Sequence, residues 1–297
     1  MRTALKRATL GLTLATGLMA LGGSALANPS PWEIDLQPAA TPIMEMIHRF
    51  NTGVTIVMVL IVLLVLALLV YTILRFNAKA NPVPSRTSHN TLIEVIWTVV
   101  PILVLVGIAV PSFALLFAEH DPARAIAGFD PAKDRQLTIK ATGSQWYWSY
   151  EYPDNGDISF DSLLLRDANG TPTGEPRLLA VDNKMVVPVG VVIRMQVIGS
   201  DVIHSFAVPS FGIKIDAVPG RLNETWFRVD REGTYYGQCS ELCGRDHAYM
   251  PIAVEAVSQD KFDAWAKAAA TDVGAANKLL AAAVENTPAT LVAVAKD

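Results

Sequence analysis

Charged side chains are scarce in this sequence. Only 18% of the 297 residues are Asp, Glu, Lys or Arg, whereas 51% are hydrophobic. Soluble globular domains carry about 25% charged residues, so this composition argues against an ordinary soluble protein and indicates a membrane protein. Acidic residues outnumber basic ones by 28 to 24, and we expect no nucleic-acid partner for the chain.

Cysteine is nearly absent, because Cys239 and Cys243 are the only two in the chain. The sequence also contains no Cys-x-x-Cys-His motif, which is the attachment site of a c-type haem. The chain is therefore expected to hold no covalent haem.

Two long stretches lack any charged residue. As a helix, residues 50–74 reach roughly 37 Å, which is more than the hydrocarbon core of a bilayer requires. Residues 95–118 form the second stretch and include Pro101 and Pro111, which membrane helices tolerate because neighbouring groups bind the freed carbonyls. We therefore predict a transmembrane hairpin within residues 28–121.

The loop between the two spans carries Arg75, Lys79 and Arg86 but no acidic residue. The outer flanks of the hairpin are acidic instead, at Glu33, Asp35, Glu45, Glu119 and Asp121. Positive charge marks the cytoplasmic side of a membrane protein. The loop is therefore predicted to be cytoplasmic, with both termini periplasmic and the chain crossing the inner membrane of a bacterium twice.

The start of the chain has the layout of a targeting segment. It carries Arg2, Lys6 and Arg7, then an apolar run, then small residues up to Ala27. This layout predicts that residues 1–27 are a secretory signal peptide that is cleaved after Ala27. An uncleaved membrane anchor is the alternative, although the apolar run is short for a span.

Beyond residue 121 the pattern changes to short alternating runs separated by Gly, Pro, Asn and Asp. Such runs predict an antiparallel β-sandwich or barrel over residues 122–257, which is large enough to bury its own core. The predicted strands are residues 137–141, 146–152, 185–187, 191–198, 202–208, 224–229 and 252–257. Residues 258–297 form an Ala-rich tail, in which Phe262 and Trp265 begin a helical pattern.

Four side chains with soft donor atoms fall within residues 239–250, here called the ligand loop. Cys239, Cys243, His247 and Met250 supply two thiolates, an imidazole and a thioether. An upstream imidazole, His204, completes a ligand order that is typical of blue-copper proteins. The second cysteine exceeds what one copper ion requires. Two copper ions bridged by both sulfurs would use every ligand, each ion taking one histidine and one weak axial ligand.

The two axial ligands are expected to differ. Met250 suits one copper ion, and the main-chain carbonyl of Glu241, between the cysteines, suits the other. Two alternatives remain open for this group of residues. Cys239 and Cys243 could form a disulfide, which an oxidising compartment favours, or the cysteines and histidines could bind structural zinc. Neither alternative gives Met250 a role.

At these residues the chain closely resembles subunit II of the haem-copper cytochrome c oxidases, and the resemblance extends over about residues 43–257. It implies a cupredoxin fold for the sandwich and a binuclear copper centre, called CuA, at the ligand loop. It also implies that cytochrome c donates electrons to the copper pair, which passes them to haem in subunit I for oxygen reduction coupled to proton pumping. Subunit III and the lipid bilayer are the other expected partners.

The same resemblance implies roles for residues whose side chains are not copper ligands. Trp146, the first Trp of Gln-Trp-Tyr-Trp, matches the residue that passes electrons to the copper pair. Glu94 matches an acid at the cytoplasmic mouth of a proton path into subunit I. The side chain of Glu241 is expected to bind magnesium at the junction with subunit I. Asp182 and Asp201 match acidic positions that dock cytochrome c.

These residues also have simpler structural interpretations. Trp146 could belong to the buried aromatic face of a strand, and Glu94 lies three residues after Thr91, in the spacing of a capping box. Residues 119–255 contain 19 acidic and 13 basic residues, a net charge of −6. A negative surface suits a basic partner, although any single aspartate could be ordinary solvated surface.

Three other functions share parts of this pattern. A quinol-oxidase subunit has the hairpin and sandwich without copper ligands, and an enzyme of the nitrous-oxide reductase type has the copper loop without the paired spans. The third is a membrane-tethered copper-binding or copper-delivery protein of cupredoxin fold. It needs one exposed copper site but neither Trp146 nor Glu94.

Overall fold

The computed structural model describes residues 32–83, 85–156, 158–165 and 176–285. The predicted signal peptide at residues 1–27 lies outside these residues, as does the end of the tail. The described chain consists of two long helices, a short helix α3 (Pro122–Ala125), a two-sheet sandwich and two C-terminal helices. This order confirms the predicted fold class.

Two long apolar helices precede the sandwich. Helix α1 spans Pro42–Arg75 and α2 spans Thr91–His120. Both are long and apolar enough to cross a membrane. At 1.5 Å per residue they measure roughly 51 and 45 Å, so each extends beyond a hydrocarbon core of about 30 Å. The structure therefore lengthens both predicted spans at each end.

The start of α2 differs in detail from the predicted capping box. The N-cap is Asn90 rather than Thr91, because the Asn90 side chain accepts a hydrogen bond from the backbone N–H of Ile93. Glu94 completes the arrangement by accepting from the backbone N–H of Asn90 at 3.0 Å. Asparagine is a strong N-cap. With Asn90 as the cap, α2 begins at Thr91, one residue earlier than a helix capped by Thr91 would begin.

The sandwich contains two five-stranded sheets. The first sheet has the order β3-β2-β1-β5-β8, with strands Ile158–Ser162, Tyr147–Tyr152, Gln136–Ser144, Val192–Gly199 and Asn223–Arg228. The second has the order β4-β10-β9-β6-β7, with strands Met185–Pro188, Pro251–Val257, Gly233–Cys239, His204–Val208 and Ile213–Ala217.

The alternation of short runs predicts an antiparallel sandwich, but two of the strand pairs are parallel. Strand β1 pairs with β5 in parallel, and β10 pairs with β4 in parallel. Alternation along one strand reports which face is buried and carries no information about the direction of the neighbouring strand. Strands β3, β7 and β9 were also absent from the predicted set. Of these, β9 includes two glycines and ends at Cys239, which weakens its strand signal.

Aromatic side chains of β2 fill the space between the sheets. Trp148, Tyr150 and Tyr152 alternate along the strand and are fully buried. Trp148 and Tyr150 both contact Phe206 of β6 edge-on, with ring centroids 5.3 and 6.5 Å apart. Trp146 was predicted on the same face, but β2 begins after it and its side chain is only partly buried.

The hairpin is attached to the sandwich through the ends of both long helices. Thr41, the N-cap of α1, donates its hydroxyl to the carbonyl of Phe211 at 2.7 Å. The indole N–H of Trp226 on β8 donates to the carbonyl of Ala118, near the end of α2, at 3.1 Å. Both contacts are buried, so they fix the sandwich relative to the membrane spans.

The described part of the tail packs against the sandwich. Helix α4, Gln259–Ala269, buries Phe262 and Trp265 in the core. Helix α5, Val273–Glu285, follows, and its Asn277 accepts from the Trp265 indole at 2.9 Å. The helical pattern that Phe262 and Trp265 indicated is therefore confirmed, and its apolar face covers one side of the sandwich.

The buried cap of α1 makes a testable contribution to stability. In Thr41→Ala the carbonyl of Phe211 and the backbone N–H of Met44 both lose their partner. We expect the free energy of unfolding to fall by about 1–2 kcal/mol. Ser258 is a matched control, since it caps α4 without any side-chain hydrogen bond. Thermal unfolding in detergent, followed by circular dichroism, should show a larger loss for Thr41→Ala than for Ser258→Ala; equal losses would contradict the assignment.

Candidate metal centre

Three neighbouring strands bring the soft ligands to one end of the second sheet. His204 is the first residue of β6, and Cys239 is the last residue of β9. Phe206 pairs with Cys239 across these strands, so the histidine and the cysteine lie at the same edge. Met250 directly precedes β10, and the backbone N–H of Cys239 donates to its carbonyl at 3.4 Å.

The two sulfur atoms form the middle of the site. The Sγ atoms of Cys239 and Cys243 are 3.9 Å apart, and both cysteines are free thiols. His204 Nδ1 lies 3.9 Å from the sulfur of Cys239, and His247 Nδ1 lies 3.5 Å from that of Cys243. The thioether of Met250 is 3.5 Å from the Cys243 sulfur. The structure thus places one imidazole beside each thiol.

The surroundings of these donors suit a metal ion. The donor atoms of His204, Cys239 and Cys243 lie within 4.8 Å of one another, and all three residues are buried. Met250 is buried with them, whereas His247 is partly exposed. Thiolate, thioether and imidazole donors select copper or zinc. The donor set therefore fits copper, and it has one more soft ligand than a tetrahedral Cys₂His₂ zinc site uses.

The two thiols differ in acidity. Burial favours the neutral form of Cys239, but hydrogen bonds from His204 and from the backbone of Glu241 and Ser205 outweigh it and lower the pKa to about 7. Burial, together with the nearby charge of Cys239, raises the pKa of Cys243 to about 12. A metal that binds both sulfurs displaces the thiol protons, so metal binding at this pair depends on pH.

Asp201 orients the buried histidine. Its carboxylate accepts from His204 Nε2 at 2.8 Å, which turns Nδ1 toward the sulfur of Cys239. The carboxylate also accepts from the backbone N–H groups of Gln145 and Val202. Burial raises the pKa of Asp201, but these hydrogen bonds outweigh it, and the pKa lies below its usual value. A carboxylate behind a ligating histidine is a common second layer of a metal site.

A glycine on the opposite sheet makes room for this imidazole. Gly143 lies near the end of β1, and a Cβ atom at that position would lie 3.0 Å from three atoms of His204. A larger residue would push the ring away from the sulfurs. Because Gly143 has no side chain, the first sheet leaves space for the His204 ring.

Gln145 and Trp146 connect the first sheet to the ligand loop. The side-chain amide of Gln145 donates to the carbonyl of Cys243 at 2.8 Å, and the Trp146 indole N–H donates to the same oxygen at 3.3 Å. The sequence interpretation did not assign a role to Gln145. Its place beside Trp146 in the Gln-Trp-Tyr-Trp motif was the signal that could have identified it.

The main-chain carbonyl and the side chain of Glu241 have different surroundings. Its main-chain carbonyl lies 3.4 Å from the sulfur of Cys239, whereas its side chain is exposed. Leu242, which follows, is 78% exposed. The main-chain carbonyl thus faces the buried sulfurs, whereas the carboxylate lies at the exposed surface of the loop.

The other predicted residues lie outside the centre. Asp182 precedes β4, where its carboxylate accepts from the backbone N–H of Leu163 at 2.7 Å. Met185 of β4 pairs with Val254 of β10 in parallel, so Asp182 lies toward the end of the sheet that carries the ligands. Glu94 lies in the first turn of α2, so most of the length of this helix separates it from the sandwich.

The fold and the donor set together define a membrane-anchored β-sandwich protein with a buried sulfur-rich metal centre. The sequence profile of the periplasmic domain of cytochrome c oxidase subunit II matches residues 137–257. The profile of the transmembrane domain of the same subunit matches residues 29–115. Together these two matches cover most of the chain.

Individual relatives agree with the profiles. A protein of Rickettsia bellii described as "Probable cytochrome c oxidase subunit 2" is 52% identical over 240 residues, covering 80% of this chain and 85% of that protein. Cytochrome c oxidase subunit 2 of Cyanidium caldarium is 48% identical over 240 residues, covering 79% and 90%. The crystal structure of the periplasmic domain of subunit II of cytochrome oxidase from Bradyrhizobium japonicum is 63% identical, covers 45% of this chain and 92% of that domain, and has a TM-score of 0.42.

The chain belongs to the cytochrome c oxidase subunit II family. It is the electron-accepting subunit of this haem-copper oxidoreductase, as its resemblance at the ligand loop predicted. The family implies CuA copper, and the group formed by His204, Cys239 and Cys243 fits a metal site. The two apolar helices and the periplasmic domain identify a membrane protein whose copper domain is periplasmic.

The contact between Asp201 and His204 predicts a change in metal affinity. Asp201→Asn removes the charge that holds the imidazole, and we expect copper affinity to fall about 10- to 100-fold. Copper retention against a competing chelator measures the change. Asp182→Asn is the matched control, because it removes the same charge without touching a metal ligand. A similar loss of copper in both variants would show that net charge, not orientation of His204, causes the effect.

Proposed function

We propose that the soft donors at the sheet end, together with one main-chain carbonyl, bind two copper ions as a CuA centre. The ligands are His204, Cys239, the carbonyl of Glu241, Cys243, His247 and Met250. The observation that carries this assignment is the pair of buried sulfurs 3.9 Å apart with one imidazole beside each. When bound, the copper pair stores one electron and shares it between two metals.

Electrons reach this centre through the indole of Trp146. The indole N–H donates to the carbonyl of Cys243, so one hydrogen bond and the main chain of a copper ligand join the ring to the centre. The side chain is partly exposed, so the ring is accessible to a donor. A tethered copper carrier has no use for such a connection, which favours electron uptake over copper delivery.

Cytochrome c is the electron donor, and it docks at the acidic end of the sandwich. Asp182 and Asp201 supply negative charge there. Asp201 remains ionised because its pKa lies below the usual value, and its side chain is 35% exposed although it also holds His204. Opposite charges on two proteins raise the rate of encounter at low salt, so these acids suit a basic cytochrome c.

The electrons continue to haem in subunit I, where oxygen is reduced and protons are pumped. The loop between α1 and α2 is cytoplasmic and both termini are periplasmic, in line with the basic loop. Glu94 then lies at the cytoplasmic end of α2, where its hydrogen bond from Asn90 keeps the carboxylate at the helix start. In this position it serves the mouth of a proton path into subunit I. Subunit III completes the assembly.

The proposed function also assigns a role to each part of the chain. Residues 1–27 are a cleaved signal peptide, residues 28–121 form the periplasmic N-terminal segment and the hairpin, residues 122–257 form the cupredoxin domain and residues 258–297 form the tail.

Magnesium binds at the junction with subunit I through the exposed carboxylate of Glu241. Mg²⁺ prefers carboxylate oxygen and keeps several waters, which an exposed side chain permits.

Metal analysis tests the copper assignment directly. We expect two copper ions per chain and an electron paramagnetic resonance spectrum of one unpaired electron delocalised over both nuclei, because two bridging sulfurs join the ions. Elemental analysis and low-temperature spectroscopy of the purified oxidase measure both quantities. One copper ion per chain, or zinc in its place, would falsify the binuclear assignment.

The two roles of Glu241 are separable by one substitution. Glu241→Gln retains the main-chain carbonyl and removes the carboxylate charge, so the copper content and copper spectrum should persist. Binding of magnesium, or of manganese as its spectroscopic substitute, should fall. Glu232→Gln is a control at an acid that pairs with Lys261 in another part of the sandwich. Loss of copper with the interfacial metal retained would mean that each metal was assigned the wrong atom of Glu241.

A further inference from the structure

An arginine of the ligand loop lies over the indole of Trp146. The guanidinium carbon of Arg245 is 5.5 Å from the centre of the Trp146 ring, which is within the range of a cation–π contact. The Arg245 side chain is 82% exposed, so nothing in the described chain buries it there. Arginine suits this contact because its planar group stacks on aromatic faces.

Three consecutive residues of the loop therefore contact the same ring. The carbonyl of Cys243 accepts from the indole N–H. Gly244 approaches the indole so closely that a Cβ atom there would lie 3.0 Å from Cζ2 of Trp146. The backbone of Gly244 has φ +123°. Glycine adopts this conformation readily, whereas any other residue would be strained there. Arg245 adds a cation over the ring, so the loop holds the indole by its edge and by one face.

A neighbouring acid holds the guanidinium in this position. Asp246 accepts from Arg245 at 3.1 Å and is 22% exposed, far less than its partner. The ion pair also cancels the positive charge of Arg245, so the surface around Trp146 presents no net positive charge from this pair to a basic donor. A cation can thus contact the indole without opposing the docking of cytochrome c.

We propose that Arg245 is a positioning residue for electron uptake, which keeps the indole of Trp146 in contact with the ligand loop. This inference rests on the proposed role of Trp146. Without the cation the indole keeps its long N–H···O bond, its contact with Gly244 and its packing against the core, but it loses the charged group over its ring. The ring then spends part of its time away from the carbonyl of Cys243, and electron transfer through that contact slows. Affinity for the donor does not depend on this step.

The test separates electron transfer from docking in the assembled oxidase. Reduction of the copper centre by a photoreducible basic cytochrome c gives the first-order rate constant within the complex, and titration gives the dissociation constant. For Arg245→Gln we expect the rate constant to fall by at most about two- to fivefold, because an exposed cation–π contact changes the equilibrium constant between the held and the displaced ring by that factor. The dissociation constant should stay equal or decrease, since Asp246 is left unpaired. Arg245→Lys, which keeps the cation, should recover part of the rate.

Two further measurements exclude a general structural effect. Arg135→Gln removes the same charge at the far end of β1, beside Asp263, and should leave the rate constant unchanged. Radical footprinting of the oxidase without donor, followed by peptide mass spectrometry, should show faster oxidation of Trp146 in Arg245→Gln. The copper spectrum should be that of the unmodified protein. An altered copper spectrum, or unchanged oxidation of Trp146, would overturn the inference.

The outcomes also distinguish this inference from the role of Trp146 itself. If Trp146→Ala leaves the rate constant unchanged, electrons do not pass through the indole and the proposed uptake route fails. If Trp146→Ala slows transfer but Arg245→Gln does not, only the role of Arg245 is wrong. Weaker docking of Arg245→Gln with an unchanged rate constant would instead show that Arg245 binds an acid of the donor.

Discussion

The pairing of β9 with both β6 and β10 is the constraint on which the metal centre depends. Phe206 opposite Cys239 brings the start of β6 to the end of β9, and Pro251 opposite Gln238 returns the chain beside it. The ligand loop is therefore closed at both ends by strands of one sheet. Its donors approach one another because two backbone ladders fix the ends of the loop.

The sequence predicted the features that depend on local spacing. The two spans follow from uncharged runs, and the candidate ligands Cys239, Cys243, His247 and Met250 follow from soft side chains within one loop, with His204 upstream. The parallel pairs β1–β5 and β4–β10 could not be predicted, because alternation is the same whichever way a neighbour runs. The hydrogen bond from Gln145 to the carbonyl of Cys243 joins residues far apart in the chain, and no spacing rule indicates such contacts.

Asp201 shows why a resemblance alone gives an incomplete role. Its position predicted a docking acid, and its side chain is partly exposed as docking requires. The same carboxylate accepts from His204 and from two backbone N–H groups, which ties it to the metal centre and to the first sheet. In the proposed docking, such an acid would pass a displacement at the surface directly to His204. The carboxylate of Asp182 accepts from the backbone N–H groups of Leu163 and Asn183 instead, so its substitution tests the proposed docking without disturbing His204.

The ligand loop separates buried soft donor atoms from an exposed carboxylate within a few residues. The sulfurs of Cys239 and Cys243 point inward and are buried, whereas Glu241 and Leu242 between them are exposed. Soft donors in a dry interior favour copper, and a hydrated carboxylate outside favours a hard cation. Because the main-chain carbonyl of Glu241 faces the sulfur of Cys239 while its side chain is exposed, the copper and magnesium sites proposed above would use different atoms of this one residue.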